Sequence, residues 1–87
     1  PNGFAEDEMP SVDSVFADFG LSVRQAINQL VVRTTTGGAQ PVAASLDHEH
    51  LPEVLGTIAG DDTILIICED QKHASRLRLR LENLLEP

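Results

Sequence analysis

A length of 87 residues and a formal charge of −8 set the first limits. So short a chain forms one domain and buries only about 60–65% of its unfolded surface, which makes assembly with further copies a plausible extra source of stability. Fourteen acids against six Lys and Arg exclude this stretch as a nucleic-acid binder, the single cysteine excludes an internal disulfide, and there is no run of about 18 apolar residues to cross a membrane.

Residues 1–19 carry five acids (Glu6, Asp7, Glu8, Asp13 and Asp18) and read as an acidic linker or tail, with a short helical turn near Val12–Phe16. The chain opens on Pro1 rather than Met and has no signal peptide, so it is expected to be a fragment with something attached ahead of this linker. Residues 20–87 read as the folded domain. Its aromatic content is negligible, since the only aromatics in the whole chain are Phe4, Phe16 and Phe19; the core must be aliphatic.

Leu21–Ala26 alternates as a half-exposed strand does, and β-branched Leu30–Thr34 follows as its hairpin partner. Thr36-Gly37-Gly38-Ala39-Gln40-Pro41 is a strand-to-helix junction. Pro41 suits the first turn of a helix, where its missing N–H costs nothing, and that helix runs to about His48. Glu53–Ala59 reads as a third strand and Thr63–Cys68 as a fourth. Both faces of the fourth are apolar, which predicts a central position with helices on one side and a second subunit as candidate cover for the other. Cys68 falls there as a small buried hydrophobe, and one cysteine fits a reducing cytoplasm. Asp70 is placed to cap the last helix. Ala74, Leu77, Leu81 and Leu84 mark its buried stripe, with Leu79 and Leu85 off it, and Arg78 and Glu82 are spaced to pair across one turn. The order ββαββα predicts an α+β two-layer sandwich: a four-stranded, mainly antiparallel sheet with two helices on one face.

The most informative segment is Gly56-Thr57-Ile58-Ala59-Gly60-Asp61-Asp62-Thr63. Adjacent carboxylates in extended chain point to opposite faces, so the pair is a poor catalytic dyad. One aspartate is free to face a cationic ligand while the other braces the turn; equally, Gly-Asp-Asp is an ordinary turn composition. A phosphate loop is excluded, because no Lys follows and two acids repel phosphate. The Gly37–Gln40 junction offers free N–H groups at a helix start, which attract an anion such as a carboxylate, or it is simply a glycine-rich turn. A buried acid and a helix N-terminus together suit the two ends of a zwitterion with a cationic tail. Asp47-His48-Glu49-His50 looks like a metal cluster but sits in one loop without a distant fourth ligand, so no metal is assigned. No serine lies in a nucleophile motif, so no catalytic residue and no cofactor is assigned. A ligand-free oligomerisation module and a small subunit of an amino-acid-metabolism enzyme remain the alternatives.

From about Leu21 to Leu85 the chain resembles the C-terminal domain of bacterial arginine repressors. Gly56–Thr63 matches that family's effector-binding signature without a gap, and Thr34-Thr35-Thr36-Gly37-Gly38-Ala39-Gln40 resembles its strand-to-helix junction, departing at Thr36, where proline is usual. The resemblance implies a cytoplasmic regulator of arginine metabolism in which this domain senses L-arginine and forms a homo-hexamer of two stacked trimers. Arginine then lies between the trimers. By motif position, Asp61 pairs with the guanidinium across that interface, and Gln40, Asp47, Thr57, Ala59 and Asp62 line the pocket. Operator DNA is contacted only by an N-terminal winged helix-turn-helix absent from this sequence.

Overall fold

The computed structural model describes residues 10–85. Its elements are α1 (Val12–Phe19), β1 (Gly20–Ala26), β2 (Gln29–Thr34), α2 (Ala39–Glu49), β3 (Val54–Ala59), β4 (Thr63–Cys68) and α3 (Gln71–Leu85). All three strand pairs are antiparallel, in the order β1-β2-β4-β3. The strand expected to be central is central, and β4 has the predicted bounds.

Alternation sorts each strand between two faces. Leu30, Val32 and Thr34 of β2 and Ile64, Ile66 and Cys68 of β4 point inward and are buried, as is Val23 of β1. Against them pack Val42 and Leu46 of α2 and Ala74, Leu77 and Leu81 of α3. Each fully buried Leu, Ile or Val contributes about 1.5–3 kcal/mol by leaving water, and this single aliphatic layer is the core. Among the described residues no helix covers the other face. Register sets Val31, Leu65 and Ile58 in one row across it, with Ile58 70% exposed.

The main departure from expectation is α1. Residues 12–19 were assigned to the linker, with a turn at most. They form two turns of helix, and Val12, Val15 and Phe16 are buried in the core. The physical cause lies in Ser11 and in the spacing. The Ser11 hydroxyl accepts the Ser14 N–H at 3.1 Å as an N-cap. Val12, Val15, Phe16 and Phe19 then recur at the i, i+3, i+4, i+7 spacing of one helix face. Among the described residues the helical layer therefore holds three helices rather than two. Residues 1–9 of the proposed linker lie outside the described residues.

Smaller differences sit at element ends. Helix α2 runs one residue further than expected, to Glu49, and ends on His50 in the left-handed region (φ 51°). The turn joining β1 and β2 holds Ile27 at φ 55°, an unusual setting for a β-branched residue. Asp70 accepts the His73 N–H at 2.8 Å, and Arg78 pairs with Glu82 at 2.9 Å, as the spacing suggests. Leu79 is exposed, but Leu85 is half-buried and packs against the core.

Candidate functional site

Strands β3 and β4 meet in a tight turn at the edge of the α2 start. Gly60 N–H donates to the Thr63 carbonyl at 2.9 Å and closes it. Two further backbone bonds fix the turn from outside. Thr34 N–H donates to the Asp62 carbonyl at 2.8 Å, and Ala39 N–H to the Asp61 carbonyl at 3.1 Å. The end of β2 and the start of α2 thus position the two aspartates, which the sequence motif alone does not reveal.

The side chains diverge, as adjacent residues in extended chain must. Asp62 turns to the sheet, where its Oδ1 accepts the Thr63 hydroxyl at 2.9 Å and its Oδ2 faces the Arg33 guanidinium at 3.5 Å. Asp61 turns to the helix start, where its Oδ2 accepts the Gly37 N–H at 3.3 Å. Gly37 stands at φ 80°, a conformation that favours glycine. Gly38 is needed for a different reason: an added Cβ would lie 2.9 Å from the Cβ of Phe19.

This geometry corrects two expectations. The N–H groups of Gly37, Gly38 and Ala39 are already engaged within the chain and are not free for a ligand carboxylate. Gly37 donates to the Asp61 side chain, Gly38 to the Thr35 carbonyl and Ala39 to the Asp61 carbonyl. The chain's own aspartate has taken the anion position that the dipole favours. Nor is Asp61 buried: in the single chain it is exposed.

Further along α2, Gln40 and Asp47 face β3. The Gln40 amide donates to the Ala59 carbonyl at 3.0 Å and the Gly60 carbonyl at 3.3 Å. Asp47 Oδ1 accepts the Thr57 hydroxyl at 3.0 Å. Seven residues make about two helical turns, so these two side chains form successive rungs between α2 and β3. Gln40, Asp47, Thr57, Ala59 and Asp61 therefore lie along one polar seam, and Asp62 lies at its end but turned toward β2. Beyond Asp47 the seam opens into a cavity of about 260 Å³ lined by Leu46, Asp47, His50, Leu51, Val54, Leu55 and Gly56. It is smaller than the roughly 300–1,000 Å³ of a drug-sized pocket.

The acid-and-histidine run after Ser45 disperses. Asp47 goes to β3, while Glu49 accepts the Val12 N–H at 2.6 Å on the opposite side of the helix. Among the described residues no three His, Cys, Asp or Glu side chains converge as metal ligands. His73 Nδ1 lies 2.7 Å from Asp70 at the start of α3, remote from the seam in sequence and partners. Cys68 is fully buried, and desolvation first, then Glu53 and Asp70, push its thiol pKa up.

The fold is a small α+β domain with a polar α2–β3 seam that leads, at Asp47, to a shallow cavity. The family model for the arginine repressor C-terminal domain matches residues 16–83. The arginine repressor of Acidobacterium capsulatum is 59% identical over 88 aligned residues, covering 98% of this chain and 60% of that protein. That of Koribacter versatilis is 46% identical, covering 88% and 52%; that of Carboxydothermus hydrogenoformans is 45% identical, covering 82% and 47%. The chain belongs to the arginine repressor family, through its C-terminal domain, and spans about half to three-fifths of the length of the curated relatives it matches. These relatives are named as repressors, not as enzymes. Among the described residues no helix is long and apolar enough to cross a membrane.

Proposed function

We propose that this domain is the L-arginine sensor of a cytoplasmic transcriptional regulator. It assembles as two stacked trimers, and arginine between them controls operator binding by a winged-helix domain elsewhere in the protein. The observation that carries this reading is the polar seam itself: Gln40, Asp47, Thr57 and Asp61 are brought to one edge by two helical turns and one strand, with a cavity at its end. Asp61 is exposed in the single chain, which supports its meeting a guanidinium from a ligand shared with another chain.

A planar guanidinium fork bonds a carboxylate in bidentate fashion, which an ammonium cannot. The ligand's α-amino group is then met at Asp47. Asp62 contributes by shape and charge at the turn, since Arg33 and Thr63 already engage both of its oxygens. Because stacked trimers bind arginine better than separated ones, arginine strengthens stacking by the same free energy.

Calorimetric titration with arginine, lysine and citrulline tests the reading. Arginine binds most tightly, and neutral, nearly isosteric citrulline far more weakly. Equal affinity for arginine and citrulline would remove the charge pair from the account.

A further inference from the structure

The last turn of α2 is held from both sides. Asp47 and Glu49 are two residues apart, about 200° around a helix axis, and their contacts run in opposite directions. Asp47 binds Thr57 of β3 at 3.0 Å. Glu49 Oε2 accepts the Val12 N–H at 2.6 Å, so it caps the first turn of α1 from 37 residues away. Its other oxygen faces Arg80 of α3 at 3.7 Å. Arg80 in turn bonds Asp13 of α1 through two nitrogens, at 2.8 and 3.2 Å. One arginine thus ties three helices through two carboxylates, with Glu53 as a further acid near it.

From this we infer that the last turn of α2 transmits occupancy of the seam at Asp47 to the docking of α1, through Glu49 and Arg80. The inference rests on the reading of Asp47 as a ligand-facing residue. A cation bound at Asp47 orders the turn that carries Glu49. An ordered Glu49 holds the Val12 N–H and Arg80 more firmly, and α1 opens less often. Both the Glu49 cap and the buried Val12, Val15 and Phe16 fasten α1 to the core.

Hydrogen exchange of the 87-residue chain, read amide by amide with and without saturating L-arginine, tests the link. Calorimetry on the same samples reports binding separately. In the unmodified chain, arginine slows exchange over residues 12–19 by about fivefold or more, the low end of typical coupling, while β1 amides on the far strand change less. Glu49→Ala binds arginine as before but loses the slowing in α1. Glu49→Gln keeps an oxygen for the Val12 N–H, stays docked, and retains part of the response; it covers the case in which Glu49→Ala undocks α1 altogether. Binding without any change in α1, equal slowing in β1, or an undiminished response in Glu49→Ala each overturns the link while leaving arginine sensing intact. Absence of binding in the unmodified chain overturns both.

Discussion

Two groups of charges occupy this small domain, and they are resolved in opposite ways. At the helix junction, Arg80 is enclosed by Asp13 and Glu49, its pKa raised chiefly by the Asp13 hydrogen bond, and the group sits over buried Val12 and Phe16. At the β3–β4 turn, Asp61 has one backbone partner and faces outward, and Asp62 takes the Thr63 hydroxyl at 2.9 Å and a 3.5 Å approach from a more than half exposed arginine. In the first group one arginine reaches both carboxylates, Asp13 and Glu49. In the second, Arg33 reaches only Asp62, and among the described residues Asp61 has no cation beside it. That difference distinguishes charges that fasten a fold from charges that await something else.

The sharpest way to break the comparison is to exchange the consequences. Phe16→Ala removes a fully buried ring from α1 and costs about 3–5 kcal/mol of folding stability, read by urea unfolding. A cost under about 1 kcal/mol would return α1 to the status of a loosely held linker. Asp61→Asn does the reverse. It weakens arginine binding by roughly 2–5 kcal/mol, the range for losing one partner of an enclosed charge pair, and changes stability by less than about 1 kcal/mol. It also lessens ligand-free repulsion between stacked faces, so assembly depends less on arginine in sedimentation velocity. An arginine-driven shift equal to that of the unmodified chain would remove Asp61 from the site.

Arg33→Gln is a finer test. The Arg33–Asp62 pair is long and more than half exposed on the arginine side, so its loss costs at most about 1 kcal/mol, and less in high salt. A larger, salt-insensitive loss would move this pair into the fastening group. The smallest effect concerns acid. The Asp70 carboxyl sits below its ordinary value of 3.8, first because of the His73 backbone N–H and then its ring. Its contribution is complete above that ordinary value and fades as pH falls through the depressed one. Circular dichroism along an acid titration should show this fading, and Asp70→Asn, which still caps, should flatten it.

Legibility followed the distance between partners. Strand β4 and the Asp70 cap depend on near neighbours, and their residues announce them. The segment Gly56–Thr63 is legible as a motif, and the geometry brings Gln40 and Asp47 of α2 alongside its Thr57, Ala59 and Asp61 in one seam. Glu49 was invisible in its true role, because nothing near it in the chain hints that it caps a helix beginning at Val12. Helix α1 reads from sequence only as a short helical turn near Val12–Phe16, since Asp13 and Asp18 interleave with Val12, Val15, Phe16 and Phe19 and the acidic surroundings dominate. The donors at Gly37 and Ala39 looked free for the same reason: their acceptor, Asp61, arrives from another element.

The strand order carries a consequence for how the chain reaches this state. Hairpins β1–β2 and β3–β4 close over short turns, but the seam between β2 and β4, from Gln29 opposite Ile67 to Arg33 opposite Thr63, joins segments separated by α2 and all of β3. Closing so long a loop costs entropy before any ladder bond rewards it. The Thr34–Asp62 and Ala39–Asp61 bonds that aim the two carboxylates lie at the end of that seam. Each hairpin can therefore be native-like on its own, and the bonds that aim Asp61 and Asp62 form only when β2 and β4 close, so a chain halted before that step would hold most of its secondary structure with those two carboxylates not yet fixed.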